Sequence, residues 1–237
     1  MIIVYAGTRN VYGQMTVAAK SLLHNTPGAE VWFLIEDDAF PERLPAQIHV
    51  RNVSGQEFFQ ENGPNYDTRW SYMTLMRCAL AKLFPEEKRA LWLDTDTIVD
   101  EDITELLETD LEGVCFAGCI EPMKTGQWFR YINAGVLLCN LEEIRRTGKD
   151  DELIRLINGK KMAYPDQDAI NELCQGCMKT FGGEWNASLF TERGNGRKII
   201  HYAAKRNREA EPEYRKYAAM GWPEEVMQTG GQNEVQS

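Results

Sequence analysis

The chain has 237 residues, of which 43% are hydrophobic and 26% charged, the composition of a soluble globular protein long enough to bury a sizeable core. Its formal charge of -10 argues against a general binder of nucleic acid or other polyanions, although a local basic patch could still hold a small phosphate compound. No apolar window approaches the ~18 residues of a membrane span, and the opening MIIVYAGTRN lacks the basic flank and long apolar run of an export signal. A cytoplasmic protein without integral membrane association is therefore expected.

Met1 to Ala6 is an apolar run that stops at Gly7-Thr8-Arg9-Asn10 and predicts a first strand. Tyr12 to His24 carries a helical pattern through Met15, Ala18, Ala19 and Leu22. Glu30 to Glu36 predicts a second strand and Gln47 to Val53 a third. Ser71 to Phe84 has helical spacing at Tyr72, Leu75, Met76, Ala79, Leu80 and Leu83 before Pro85, and the ALWL of Ala90 to Leu93 is the next strand. Strands and helices alternating at this spacing predict an open α/β sheet, whose ligand sites lie beyond the carboxyl ends of its strands. That places Gly7 to Asn10 and Asp94 to Asp96 on one rim. Farther on, Gly113 to Gly118 and Tyr131 to Leu141 read as strands, Glu142 to Gly159 as mostly helix, and Asp166 to Cys174 as a short helix with Asp166 as its N-cap. Arg197 to Tyr202 is a late strand. The expected organisation is one domain over 1–225 and a disordered tail over 226–237, ending in GGQNEVQS.

Six cysteines include Cys174-Gln-Gly-Cys177 and the wider pair Cys115 and Cys119. Neither pair has a knuckle-like glycine turn, so buried reduced thiols are favoured over a zinc site or a redox dithiol. The chemistry is concentrated elsewhere, in ALWLDTDTIVD. On a strand, Asp94 and Asp96 would share a face and repel, unless the strand end is simply solvated. A divalent cation, Mg2+ or Mn2+, would cancel that repulsion and leave coordination positions for a diphosphate. His201, one of three histidines, closes the equally apolar KIIH, and an imidazole in the ligand set favours Mn2+. Arg193, Arg197, Lys198, Lys205, Arg206 and Arg208 flank it and suggest a neighbouring phosphate, the alternative being an ordinary solvated face. Neither a P-loop nor a dinucleotide fingerprint is present.

With these motifs in order, the chain resembles the retaining glycosyltransferases of the glycogenin and lipopolysaccharide galactosyltransferase type, glycosyltransferase family 8, over about residues 1 to 208. Tyr5-Ala-Gly-Thr-Arg-Asn-Val-Tyr12 is similar to the family's nucleotide-binding opening, Arg77 to an arginine near the donor phosphates and sugar, and Asp94-Thr-Asp96 to its metal motif. Asn133-Ala-Gly135 is similar to its N-A-G segment, Asp166-Gln-Asp168 to its D-Q-D segment, and Glu184-Trp-Asn186 to a W-N motif.

The resemblance implies a GT-A fold, a mixed but mostly parallel central sheet flanked by helices, of the nucleotide-diphospho-sugar transferase kind. It implies a metal held by Asp94, Asp96 and His201, a UDP-sugar contacted by Ala6, Thr8, Asn10, Tyr12, Arg77, Asp94, Thr95, Asp96, Asn133, Ala134, Asp166, Gln167, His201 and Lys205, and catalytic roles for Asp166 and Gln167. Transfer would go to a carbohydrate, glycolipid or glycan acceptor. Glu121 falls in a region where the family contacts donor sugar or acceptor, and Trp128 and Phe129 offer aromatic faces to a sugar acceptor, the alternative being ordinary core residues.

Two positions depart from the pattern. Thr8 stands where the family usually has an aspartate that helps read uracil. The usual H-x-x-G-x-x-K-P-W ending is here His201-Tyr-Ala-Ala-Lys-Arg-Asn-Arg-Glu209, with Ala204 for the glycine and Asn207 for the lysine. A less tightly wrapped loop is one expectation, a phosphate contact supplied by Lys205, Arg206 or Arg208 another. The competing functional classes are a nucleotide-sugar binding protein without transfer activity and a metal-dependent hydrolase or nucleotidyltransferase.

Overall fold

The computed structural model describes residues 1–122 and 130–223; Trp128, Phe129 and the tail 226–237 lie outside the described residues. In chain order the elements are β1 (Ile2–Ala6), α1 (Tyr12–Asn25), β2 (Val31–Ile35), β3 (Ile48–Asn52), α2 (Leu80–Leu83), β4 (Arg89–Leu93), β5 (Thr97–Val99) and α3 (Thr104–Leu107). They continue with β6 (Phe116–Ile120), β7 (Ile132–Asn140), α4 (Leu141–Thr147), α5 (Lys149–Gly159), α6 (Pro165–Leu173), β8 (Met178–Phe181), β9 (Ile199–His201) and α7 (Pro212–Ala219).

Seven strands form one sheet in the order β3-β2-β1-β4-β7-β6-β8, in which β7 runs against both of its neighbours and every other pairing is parallel. The sheet is buried on both faces, and this explains apolar runs without alternation. In β1, Ile2, Val4 and Ala6 join the cluster packed with α2, α4, α5 and α6, while Ile3 and Tyr5 join the one packed with α1 and α3. β4 divides likewise, with Ala90 and Trp92 on one face and Leu91 and Leu93 on the other.

The strand order reverses between β1 and β4, since the chain leaves β1 toward β2 and β3 and returns on its other side. The crevice outside their carboxyl ends holds Gly7 to Asn10 and Asp94 to Asp96, as expected. A second, two-stranded sheet pairs β5 with β9 antiparallel and sets Thr97 opposite His201.

Local details differ from the sequence reading. Tyr72–Cys78 is a 3-10 helix capped by Ser71, whose side chain accepts from the Met73 amide, and only Leu80–Leu83 is α-helical. A 3-10 turn and an α-helix bring nearly the same i, i+3 positions together, so spacing could not separate them. Asp166 is not the cap of α6. Pro165 opens that helix, and the backbone amide of Tyr164 donates to Asp168 Oδ2 at 2.8 Å. Gly148, left-handed at φ 68°, breaks the long helix predicted over 142–159 into α4 and α5.

The turn after β9 keeps a left-handed residue although it has no glycine. Ala204 is at φ 58° and exposed, and the Lys205 amide donates to the Tyr202 carbonyl at 2.9 Å. The loop is thus as tightly wound as a glycine would allow. An L-residue in this region bears a steric cost of about 1 to 2 kcal/mol, and Ala204 is exposed. Ala204→Gly should therefore raise stability by about 1 kcal/mol and Tm by roughly 2 to 4 °C, measured by thermal unfolding. An unchanged Tm would mean that the turn carries no such strain.

Candidate functional site

Asp94 and Asp96 do not lie on a strand. β4 ends at Leu93, and Asp94 to Thr97 make a tight turn in which the Thr97 amide and hydroxyl both donate to the Asp94 carbonyl, at 3.1 and 2.8 Å. The turn still converges the two carboxylates, because β5 leads straight into its pairing with β9 and the Tyr202 amide donates to the Asp96 carbonyl at 2.9 Å. His201 Nε2 is 3.3 Å from Asp96 Oδ1 and 3.7 Å from Asp94 Oδ2. One ligand atom from each of these three residues lies within 4.8 Å of the other two, and among the described residues this is the cluster able to hold a metal ion.

The donor set fits a divalent cation of the Mn2+ or Mg2+ kind, with two hard oxygens and one imidazole nitrogen. The remaining oxygens are held from behind. Asp94 Oδ1 accepts from Arg77 Nη2 at 2.8 Å and from the Trp92 indole at 2.9 Å, while Asp96 Oδ2 is 3.2 Å from Arg208 Nη1. Oδ2 of Asp94 and Oδ1 of Asp96 are left to face His201.

Burial alone would raise the Asp96 carboxyl, but His201 and then Arg208 outweigh it and bring the group below the usual range. Burial likewise opposes protonation of His201, and the two aspartates overcome it, raising the imidazole above 6.5. Two carboxylates with one histidine thus hold a proton where a metal ion would sit.

His201 can lie this close because Gly135 has no side chain. A Cβ added there would stand 2.1 Å from His201 Cε1. Gly135 also fixes the turn, since its carbonyl accepts the Asp94 amide at 2.8 Å.

Arg77 joins this cluster to the start of α6. Its side chain is 3% exposed, with Nη2 on Asp94 and Nε 3.0 Å from Asp166 Oδ2. It also donates to the carbonyls of Thr74 and Ala134, and its guanidinium lies 4.6 Å from the Trp92 ring centroid. Burial disfavours this charge, yet Asp94 and Asp166 more than compensate, so the guanidinium is held more firmly charged than in water. Asp166 is raised, because its own burial exceeds the pull of Arg77 and Asp94 adds repulsion.

The N-A-G segment occupies an irregular stretch of β7, where the register against β6 passes from Ile120 opposite Ile132 to Gly118 opposite Leu137. Side chains replace the missing ladder. The Ala134 amide donates to Gln167 Oε1 at 2.9 Å, and Asn171 exchanges two hydrogen bonds with the Ile132 backbone, fastening α6 to β7. Gln167 Nε2 and Asn133 Nδ2 both donate to Glu121 Oε2, at 2.9 and 3.0 Å.

At the other end of the crevice, Thr8 and Asn10 hydrogen-bond through their side chains. Tyr12 is buried against Phe40 and donates to Asp37 Oδ2 at 2.8 Å, and Arg9 pairs with the same carboxylate. This corner therefore has a carboxylate, Asp37, contributed by the loop after β2.

Half of the basic run is paired elsewhere: Arg197 with Glu213, Lys198 with Glu105 and Lys205 with Glu211. Arg208 is the member that reaches Asp96, and its buried Nε makes no hydrogen bond but lies 3.8 Å from Glu209 Oε1. A cavity of about 380 Å3 beside His201 is lined in part by Leu189, Arg193, Ile200, Tyr202 and Lys205. Trp92, Gly135 and Arg208 are site residues that spacing alone did not single out. Only the run of cations gave a signal for the last.

The family model for glycosyl transferase family 8 matches residues 2–219. The chain belongs to glycosyl transferase family 8. Glycosyltransferase GlyE of Streptococcus pneumoniae is 30% identical over 204 residues, 81% of this chain and 49% of GlyE. A Haemophilus influenzae relative is 24% identical over 207 residues, 78% of this chain and 63% of that protein. The chain thus spans between about half and just under two thirds of these relatives.

Among solved structures, the galactosyltransferase LgtC in complex with donor and acceptor sugar analogues matches with TM-score 0.71 at 24% identity, over 95% of this chain and 98% of that one. GlyE matches with TM-score 0.69 at 21% identity, over 93% and 60%. These likenesses establish the GT-A fold.

For this family 8 member, Gly135→Ala should displace the His201 ring and weaken Mn2+ binding by tenfold or more, on the order of 1.4 kcal/mol, in a calorimetric titration. Undiminished affinity would show that His201 is not a ligand. Acid should weaken metal binding from a pH above 6.5, because a protonated His201 has no lone pair to give. The metal-free protein should respond in the opposite sense. Its raised histidine contributes stability that is complete below 6.5 and lost as pH rises through the folded-state value. Unfolding and metal titrations at a series of pH values test both slopes.

Proposed function

We propose that the chain is a Mn2+-dependent retaining glycosyltransferase that moves a hexosyl group, galactose or glucose, from a UDP-sugar to an acceptor hydroxyl on a carbohydrate, glycolipid or glycan. The observation that carries this reading is the buried Arg77, which holds one carboxylate of the metal cluster and Asp166 of the D-Q-D segment at the same time. Metal cluster and D-Q-D segment are therefore one site. It opens at the sheet's switch point, where this class of fold receives nucleotides.

Asp94, Asp96 and His201 would hold the cation, which when bound supplies Lewis-acid stabilisation of the departing diphosphate. Arg208, one residue beyond the position the resemblance gives to a lysine, adds a fixed positive charge beside the same oxygens. Asp166 is anchored through Oδ2, so its assigned role is electrostatic: a negative group near the sugar ring as positive charge develops there. Gln167 is held at both ends of its amide, by the Ala134 amide and by Glu121, and positions the donor sugar against α6. Thr8, Asn10 and Asp37 form the corner assigned to the nucleotide base. Among the described residues no helix is long and apolar enough to cross a membrane, and a cytoplasmic location belongs to the proposal.

The test is release of UDP from a panel of UDP-sugars with Mn2+, using the native chain and the double variant Asp94→Ala, Asp96→Ala. Release from one sugar, lost roughly a hundredfold or more in the variant, is the expected result. The anomeric configuration of the product, read by NMR once an acceptor is found, checks retention. Mn2+-dependent UDP binding without turnover of any donor and acceptor pair would turn the reading to a binding protein. Free sugar released in preference to transfer, even with excess acceptor, would turn it to a hydrolase.

A further inference from the structure

His201 has two ring nitrogens, and only the one without a hydrogen can face a cation. Which one that is follows from a chain of buried hydrogen bonds leading away from the cluster. Glu121 stands at its far end, and its Oε2 receives the amide nitrogens of Gln167 and Asn133, at 2.9 and 3.0 Å. A carboxylate accepting two such bonds requires that Asn133 present nitrogen toward it and oxygen away from it.

The Gly135 backbone confirms that orientation independently. Its N–H, which can only donate, is 2.9 Å from Asn133 Oδ1. The same oxygen accepts from Asn186 Nδ2 at 2.9 Å, so Asn186 must turn its own oxygen the other way. There it meets His201 Nδ1 at 2.9 Å. An acceptor at that position needs a hydrogen on Nδ1, so that Nε2, which faces Asp94 and Asp96, is the nitrogen whose lone pair a cation would take. Asn186 is 0% exposed and Asn133, Glu121 and His201 are all buried, so bulk water does not compete for these bonds.

We infer that Asn186 is a positioning residue for the metal centre: it fixes His201 as the Nδ1–H tautomer, and Glu121, through Asn133, sets the direction of the chain that makes it do so. The inference rests on the assignment of Asp94, Asp96 and His201 as metal ligands. It gives Glu121 a task distinct from any contact with sugar, as the terminal acceptor that orients two amides at once. Gln167 donates to the same Glu121 oxygen, so the segment beside the donor sugar and the metal ligand share one anchor. Asn186 itself sits at the end of the 3-10 turn Gly183–Asn186, and the next residue, Ala187, accepts the His201 amide at 3.0 Å, so backbone and side chain register the histidine together.

The test uses metal-free protein labelled with 15N-histidine, at a pH alkaline enough for neutral rings. Long-range proton to nitrogen correlations distinguish the tautomers, and with three histidines in the chain His201 is assigned by its loss in His201→Gln. The native protein should show His201 protonated on Nδ1. Asn186→Leu, which keeps the volume and removes the acceptor, should shift the ring toward Nε2–H and weaken Mn2+ about 10- to 100-fold. Asn186→Asp, which restores an acceptor, should retain the Nδ1–H form and recover part of the affinity.

A native His201 protonated on Nε2 would overturn the inference with no variant needed, even if Asn186→Leu failed to fold. An unchanged tautomer in folded Asn186→Leu would overturn it equally. An Nδ1–H ring in a protein that binds no Mn2+ would sink the metal assignment and with it the positioning role of Asn186, a failure recognisable because the hydrogen-bond chain itself would be intact.

Discussion

The structure turns on one buried cation. A guanidinium removed from water is costly unless every direction of its charge is answered, and Arg77 is answered by Asp94, Asp166, two backbone carbonyls and the face of Trp92. Its partners come from several parts of the fold. Asp94 follows β4, Ala134 lies on the irregular stretch of β7, Asp166 opens α6, and Arg77 itself projects from a 3-10 segment. Removing Asp166 would leave charge unanswered in a low-dielectric interior, a loss of roughly 3 to 5 kcal/mol for a broken buried pair. The arrangement of the crevice is therefore a condition of the protein's stability as well as of its chemistry.

Much of this was legible in the sequence. Doubly buried strands are uninterrupted apolar runs, and their alternation with helical spacing gave the sheet and its switch point. Aspartates at the end of one such run and a histidine at the end of another mark a site because apolar strands rarely finish in groups that need a partner. What escaped has physical reasons. The two aspartates converge through a turn, and a period of two cannot tell a turn from a strand over so few residues. β5 and β8 have three and four residues, too few for a pattern, and are held by partners far away in the chain. Asp166 looked like a helix cap because carboxylates favour first turns, but Pro165 already opens the helix and Asp168 accepts the Tyr164 amide. Glu121, Asn133 and Asn186 form a chain only in three dimensions.

The basic run from Arg193 to Arg208 illustrates how local composition misleads and informs together. As a block it suggested a phosphate patch, yet three of its six charges neutralise glutamates on α7, on α3 and in the loop between β9 and α7. The fold leaves Arg208 facing the cluster because the tight turn at Ala204 carries the chain back over Asp96. Charge density brought attention to the segment, and the turn decided which charge mattered.

The small β5–β9 ladder has a consequence for how the protein is made. It binds Thr97 to His201, so the candidate metal ligands come from segments separated by more than a hundred residues and meet in a pairing of three residues on each side. Such a contact has a high closure entropy and forms late. A ribosome will have released Asp94 and Asp96 long before His201 emerges, and until then the nascent chain offers a cation only two carboxylates. Capture of a metal ion would then coincide with the docking of the C-terminal third, and the ion would act on the finished fold by mass action, holding the last piece in place.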